Sequence, residues 1–304
     1  MYQFIRSEGK LSASYSSKTV LVTGATSGIG YQAALDFAGK GAIVIGTGRD
    51  PVRCRRAAEA ITQMVPGAAV EFLVADLASQ QQVRSLADQV LNVLSSRGIA
   101  QLDVLVNNAG LYSSAKKMTE DGIELTFAVN HLAPFLLTHL LLPALVRSPD
   151  SRILTVSSIS HYRAILDPLR ASHPGIYVGI FSYAVSKLCN VLFSAEFNRR
   201  VPYANLRAWA VDPGLVNTEI GLKDSGYFSN LIWKSRKTHG TSADAPSRTL
   251  LHLAFAPLNN VSSGLYWKDS RPKLSSPASR DANLACRLWE ESCRLCRIDQ
   301  YFAE

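Results

Sequence analysis

The feature that most constrains this chain is its first apolar run, joined directly to a glycine-rich turn. Lys18 to Val22 is short, apolar and rich in β-branched residues, and it leads at once into Thr23-Gly24-Ala25-Thr26-Ser27-Gly28-Ile29-Gly30. From Tyr31 to Gly39 the apolar residues then recur at helical spacing. An unbroken apolar run suits a parallel strand covered on both faces, so the segment reads as strand, glycine turn and helix. Each glycine has a separate physical task. Gly24 permits the tight turn, Gly28 lets backbone N–H groups come close to an anion, and Gly30 allows the helix to pack against the strand. A turn of this kind at a helix N-terminus is suited to a dinucleotide pyrophosphate. An ordinary glycine loop is the alternative, and the flanking strand and helix weigh against it.

The same alternation continues along the chain. Further strands are expected at Ala42 to Gly46, Val70 to Val74, Leu102 to Val106, Arg152 to Val156 and Leu206 to Val211, with a short last one at Gly264 to Trp267. Helical patterns intervene, including Gln80 to Leu94 and the strongly apolar Phe127 to Leu142. This order predicts an α/β fold: one doubly wound domain over 18–304 with a mostly parallel sheet of about seven strands, behind a polar extension at 1–17. In such sheets ligands bind beyond the carboxyl ends of the strands. That edge would carry Thr47-Gly48-Arg49-Asp50, Asp76-Leu77, Asn107-Asn108-Ala109-Gly110, Ser157-Ser158 and Asp212-Pro213-Gly214, followed by Val216-Asn217-Thr218.

Two of these points bear on chemistry directly. An acid at the end of the second strand would hold a ribose 2′-hydroxyl and repel a 2′-phosphate, whereas an arginine would accept that phosphate. Gly48 stands where the acid would be and Arg49 follows it, so NADP(H) is expected over NAD(H). Arg53 adds positive potential nearby or is simply solvated. The second point is Tyr183-Ala184-Val185-Ser186-Lys187 at the head of a helical pattern reaching Arg200. Residues four apart share a helix face, and a cation beside a phenol favours the phenolate. The pair can therefore act as a general acid and base, although the same spacing also occurs on solvated helix faces. Asn130 and His131 are polar residues inside an apolar helix and need partners; bonding to neighbouring backbone would satisfy Asn130. Asn107 is expected to tie strand ends together, and Gly110 to free the backbone beside a cofactor.

Composition narrows the function classes. The chain has 304 residues and a formal net charge of +8, but its basic residues are scattered apart from Arg53, Arg55 and Arg56. Without basic and aromatic residues interleaved, nucleic-acid binding is not expected. The five cysteines form no disulfide framework and fit a reducing, cytoplasmic setting. Cys293 and Cys296 form a lone CxxC with no second ligand pair nearby, so no metal site is expected and helix packing explains them, with Cys286, equally well. Met1 to Lys18 lacks the apolar core of a signal peptide or anchor. The apolar run Ala133 to Val146, interrupted by Pro134, His139 and Pro143, reads as too short to span a bilayer. No transmembrane segment is expected, leaving peripheral membrane contact as an option.

Taken together, these residues resemble the short-chain dehydrogenase/reductase family. TGxxxGIG is Thr23 to Gly30, NNAG is Asn107 to Gly110 and YxxxK is Tyr183 to Lys187, in a likeness covering about Lys18 to Tyr266. The resemblance implies a Rossmann fold and a catalytic tetrad of Asn130, Ser158, Tyr183 and Lys187. It implies cofactor contacts from Thr23, Gly24, Thr26, Ser27, Gly28, Ile29, Gly30, Arg49, Asp76, Leu77, Asn107, Ala109, Gly110, Tyr183, Lys187, Pro213, Gly214, Val216 and Thr218, with Asp76 at the adenine and Thr218 at the carboxamide. A narrower likeness is to the subgroup of retinol dehydrogenases, the X-linked dehydrogenase/reductase and the WW-domain oxidoreductase. It rests on the long interval from Ser158 to Tyr183, on Val211 to Thr218, and on Leu288-Trp289-Glu290.

The expected activity is interconversion of an alcohol and a carbonyl compound. Tyr183 would manage the proton, Ser158 would hydrogen-bond the reacting oxygen, and Lys187 would hold the nicotinamide ribose and lower the Tyr183 pKa. Asn130 would hold a water linking Lys187 to solvent. The substrate loops, about 159–182 and 219–241, carry many apolar and aromatic residues, which suits a lipophilic small molecule of retinoid, steroid, polyprenoid or xenobiotic carbonyl type. Those residues would serve equally to pack their own loops or a subunit interface, and His161 either faces this pocket or, as is expected, lies at the surface. Family likeness suggests a homodimer or homotetramer, and the tail at about 268–304 is basic. The alternative function is an NADP(H)-binding sensor with little turnover.

Overall fold

A computed structural model describes residues 18–214, 244–261 and 265–302. Among the described residues eight strands form one sheet: β1 (Thr19–Val22), β2 (Ile43–Gly48), β3 (Val70–Val74), β4 (Val104–Asn107), β5 (Ser151–Val156), β6 (Leu206–Val211), β7 (Tyr266–Lys268) and β8 (Arg271–Pro272). Their order is β3-β2-β1-β4-β5-β6-β7-β8, and every neighbouring pair is parallel except β7 with β8. The sheet thus has one strand more than the seven the sequence suggests. The extra strand is two residues long and follows a turn in which Asp269 and Ser270 take positive φ, too short to show any period of its own.

Helices cover both faces. They are α1 (Gly28–Gly39), α2 (Pro51–Met64), α3 (Gln80–Ser96), α4 (Ala133–Leu145), α5 (Gly179–Arg200), α6 (Asp244–Phe255) and α7 (Ala282–Cys296). Alternate residues of a strand point to opposite faces, and the core divides accordingly. Val20 and Val22 of β1 join α1 and α6 in one cluster, whereas Leu21 between them joins α3, α4, α5 and α7 in the other. The chain tail is built into that second cluster. Trp289 of α7 sits 5.1 Å, centroid to centroid, from the Phe135 ring of α4 and 4.4 Å from Tyr301.

The helix before β5 is irregular. A single turn at Leu125–Phe127 and a π-helical segment at Ala128–Leu132 precede α4. Joined together they give 21 residues, Leu125–Leu145, with mean hydropathy 1.5, which is long and apolar enough to cross a membrane by length and composition. The apolar run expected from the sequence starts later, at Ala133, and is too short for that. In the fold the longer helix is a core element, with 83% of its most apolar window buried.

Candidate active site

At the carboxyl ends of β1, β2 and β4 lies a cleft of about 390 Å³. Its floor is the glycine turn. Gly24 and Gly28 have φ of +66° and +57°, a region that L side chains rarely occupy. A Cβ on Gly30 would lie 2.4 Å from the Gly24 carbonyl oxygen and 2.4 Å from Asn108 Nδ2. The turn is therefore closed to any larger residue there. Ser27 begins α1 in an extended conformation and its side chain does not cap the helix, so the first-turn N–H groups are left beside the cleft. A helix N-terminus in that condition is a site for an anion.

The walls come from the other strand ends. Thr26, Ser27, Ile29, Arg49, Asp76, Leu77, Ala109 and Gly110 line the cleft, as do Arg53, Asn108, Tyr112 and Ser113. Position 48 is crowded: a Cβ there would meet the side-chain tips Thr26 Cγ2 at 2.4 Å and Cys54 Sγ at 2.9 Å, which would have to move to admit a side chain. Asp50, the next acid along the chain, caps α2, accepting from Val52 N–H at 2.8 Å and Arg53 N–H at 3.1 Å. Arg49 is exposed at the rim. The Asp76 carboxylate accepts from Ala78 N–H at 3.0 Å.

Thr23 and Asn107 stand behind the wall. The Thr23 hydroxyl accepts from the N–H groups of Asn108 and Ala109, both at 3.0 Å, and donates to the Val106 carbonyl. Asn107 donates to Thr138 Oγ1 at 3.2 Å, so it ties a strand end to α4 and not to another strand. The side chain that clamps the glycine turn is Asn108, whose amide donates to the carbonyls of Thr23 and Gly24 at 2.8 and 3.3 Å. Sequence reasoning missed it, although it is the second asparagine of the same pair.

The second half of the site gathers around α5. Gly179 opens that helix, and the position admits only glycine because a Cβ there would lie 2.3 Å from the Ser113 carbonyl oxygen. One turn on, Tyr183 and Lys187 are buried together, with Lys187 Nζ 5.7 Å from the centre of the Tyr183 ring. The Lys187 ammonium donates to the Val156 carbonyl at 3.0 Å, and burial lowers its pKa from 10.5 to about 8. Asn190 donates to that same carbonyl, and Ser157 Oγ binds the Lys187 carbonyl, so the end of β5 is fastened to α5 at several points. Tyr112 lies edge-on to Tyr183, ring centres 6.2 Å apart. Sequence reasoning missed both Asn190 and Tyr112, which belong to no recognisable spacing.

Asn130 lies in the π-helical segment, fully buried, and is satisfied by residues distant in the chain rather than by neighbouring backbone. Its Oδ1 accepts from Leu111 N–H at 2.8 Å, and its Nδ2 donates to the Leu111 carbonyl and to Ser186 Oγ, both at 2.9 Å. It thereby holds the loop after β4 against α5. A Cβ on Gly110 would be 3.2 Å from Lys187 Nζ and 3.3 Å from Asn130 Oδ1, so these three residues meet at one point.

Ser158 lies two residues past the end of β5 and caps the 3₁₀ turn Ile159–Arg163. Its hydroxyl accepts from Ser160 N–H at 3.1 Å and donates to Ser160 Oγ at 3.2 Å. His161 is 1% exposed and buried behind Ser158, contrary to the surface position expected of it. Pro213 and Gly214 follow β6, with Gly214 at φ +72° and its N–H on Asp212 Oδ1. Val216, Thr218 and the expected substrate segment 219–241 lie outside the described residues. In the tail, Cys296 is buried against the core and Cys293 is half-buried in α7.

A family model described as "short chain dehydrogenase" matches residues 18–225. Dehydrogenase/reductase SDR family member 13 from Bos taurus is 37% identical over 293 residues, covering 94% of this chain and 75% of that protein. Retinol dehydrogenase 12 from Mus musculus is 34% identical over 281 residues, covering 92% and 87%. A crystal structure of an uncharacterized protein from Mycobacterium paratuberculosis superposes with a TM-score of 0.67 at 30% identity, covering 92% of this chain and 93% of that one.

Proposed function

Because the chain belongs to the short-chain dehydrogenase/reductase family of NAD(P)-dependent oxidoreductases and is similar to its retinol dehydrogenases, we propose that it interconverts a lipophilic alcohol and its carbonyl counterpart, with NADP(H) as cofactor and Tyr183 as acid and base. The observation that carries the reading is the buried Lys187 ammonium beside the Tyr183 phenol, next to a glycine-walled cleft whose floor is an uncapped helix N-terminus. The cleft suits the cofactor on its own terms. Gly24, Gly28 and Gly30 would admit the pyrophosphate to the N–H groups of α1; position 48 carries no acid and Arg49 supplies a cation for a 2′-phosphate. When bound, the nicotinamide group supplies or accepts the hydride.

The chain's own residues manage the remaining charge. In reduction the Tyr183 hydroxyl gives its proton to the carbonyl oxygen, and in oxidation the phenolate takes the alcohol proton. The cation at Lys187 favours the phenolate and so eases proton release. Ser158 donates a hydrogen bond to the same substrate oxygen as charge develops on it. Asn130 keeps the loop after β4 and the first turns of α5 in register, which fixes Tyr183 and Lys187 relative to the cleft.

The lipophilic substrate is supported by the loop between Ser158 and Tyr183. It exposes Ile159, Ile165, Ile176, Val178 and Ile180, among them Ile176 at 83%. Such a surface suits a hydrophobic molecule or peripheral contact with a membrane that delivers it. The test is oxidation of NADPH and NADH against retinal, steroid ketones and small aromatic carbonyls. Turnover is expected on a lipophilic member with NADPH preferred. Tyr183→Phe is expected to keep NADPH binding and lose turnover; retention of near-normal turnover would remove Tyr183 from the chemistry. NADPH binding without turnover across the panel would support the sensor reading instead.

A further inference from the structure

His161 belongs to none of the motifs, yet it is buried to 1% immediately behind Ser158 and both of its ring nitrogens are engaged. Nδ1 lies 2.7 Å from the Ser158 carbonyl oxygen, which also accepts from the His161 main-chain N–H at 3.1 Å. Nε2 lies 3.1 Å from the main-chain N of Ser276. These partners decide where the ring proton is. A carbonyl oxygen only accepts, so Nδ1 carries the proton; a main-chain N–H only donates, so Nε2 presents its lone pair. One neutral tautomer satisfies both bonds, whereas an imidazolium would set two donors against each other at Ser276.

The surroundings hold the ring in that state. It lies against Tyr162 and Tyr266, with centroids 4.2 and 4.8 Å away. The nearby charges are Asp212 at the end of β6 and Lys273 after β8, 3.4 Å apart and paired with each other. Burial, with Lys273 in support, lowers the His161 pKa against the opposing pull of the Ser158 carbonyl and Asp212. The far anchor is also fixed: Ser279 donates through its N–H to Ser276 Oγ and through its hydroxyl to the Ser276 carbonyl, and the Tyr162 hydroxyl bonds the Leu274 carbonyl.

We propose that His161 is a positioning residue that fastens the main chain of Ser158 to the segment around Ser276, and so aims the Ser158 hydroxyl at the reacting oxygen. The proposal rests on the assignment of Ser158 made above. The Ser158 hydroxyl accepts from Ser160 N–H and donates to Ser160 Oγ at 3.2 Å, a weak bond that the reacting oxygen would replace as the acceptor of its proton. With the carbonyl of the same residue gripped twice from behind, the main chain that carries the hydroxyl is held in place before substrate arrives. This is preorganisation of a donor. It also gives the C-terminal tail a part in catalysis without placing any tail residue against substrate.

The test is a double-mutant cycle in kcat with NADPH affinity measured alongside. His161→Phe keeps a ring in the site but removes both bonds. It is expected to lower kcat at least about tenfold, up to the ~10²–10³-fold that loss of an oxyanion donor costs, with NADPH Kd changed by less than about twofold. In a Ser158→Ala background the same substitution is expected to change kcat by less than about twofold, since residues acting through one another are not additive. If the phenylalanine variant does not fold, His161→Leu, which likewise removes both ring bonds, carries the same expectation. An equal loss in both backgrounds, or no loss while Ser158→Ala collapses, would overturn the positioning role alone. Full activity of Ser158→Ala would remove the assignment of Ser158 and this inference with it. Independently of turnover, nitrogen-15 NMR of the wild-type ring is expected to show the Nδ1–H tautomer at neutral pH; an Nε2–H tautomer or an imidazolium would refute it.

Discussion

Lys187→Met separates what the site needs from what the fold prefers. Lys187 is 2% exposed, donates to one carbonyl, and has a pKa lowered by burial from 10.5 to about 8. At ~1.4 kcal/mol per pH unit, that difference means the charged form costs the fold about 3 kcal/mol at neutral pH. Methionine has nearly the same length and no charge, and the Val156 carbonyl keeps its bond from Asn190 at 3.2 Å. The variant is therefore expected to be about 2–3 kcal/mol more stable at pH 7 in urea unfolding. With an unfolding entropy of ~2 cal/mol/K per residue, this raises the melting temperature by roughly 3–5 °C. The sign with pH comes from the folded value lying below the unfolded one. The cost is present in full below about pH 8 and disappears as pH rises through 10.5. The stability gap between variant and wild type should therefore close by about pH 10.5, while turnover is lost at every pH. A variant less stable than wild type, or a gap unaffected by pH, would refute the reasoning.

Gly30→Ala is expected to weaken NADPH binding at least ~tenfold by fluorescence titration, because its Cβ would meet the Gly24 carbonyl oxygen, main chain that cannot swing aside. Arg49→Ala is expected to raise NADPH Kd roughly 10- to 100-fold, the loss of one charge-assisted bond, and to leave NADH nearly unchanged; equal effects on both cofactors would contradict the 2′-phosphate role. His131 is buried and its pKa is lowered by burial from 6.5 to about 3. Its neutral form is favoured in the fold, so stability is full above about pH 6.5 and falls by up to ~1.4 kcal/mol per pH unit toward pH 3. His131→Leu is expected to flatten that limb in pH-dependent urea unfolding.

Much of this architecture is legible in the sequence because parallel strands covered on both faces have to be apolar throughout. The expected Val70–Val74 and Leu206–Val211 coincide with β3 and β6, and β1, β2, β4 and β5 differ only at their ends. The helix of Tyr183 begins earlier than expected, at Gly179, and the need for glycine there is set by the Ser113 carbonyl, which is far away in the chain. The features that escape the sequence have no local period. The two residues of β8 are too few to alternate, and a π-helical segment has the composition of the α-helix around it. Asn130 shows the limit well: its polarity inside an apolar run announces that it needs partners, but that they are Leu111 and Ser186 depends on packing between α5 and the loop after β4. His161 is misplaced by sequence reasoning for the same reason, since its second partner lies 115 positions away.

The π-helical segment at Ala128–Leu132 also governs which changes in chain length this protein can accept. A π turn holds one residue more than an α turn over nearly the same rise, so deleting any one of these five residues would leave a smoother helix with better-formed bonds. The smoother helix would be the wrong one. Because the π turn already absorbs the extra residue, the helix on either side would stay nearly in register, but the residues inside the turn would be re-spaced and Asn130 would be carried away from Leu111 and Ser186. Substitutions here are read by the packing one at a time, but insertions and deletions are read by the whole site at once. Along this stretch the number of residues is itself a requirement of the fold, as firm as the identity of any side chain.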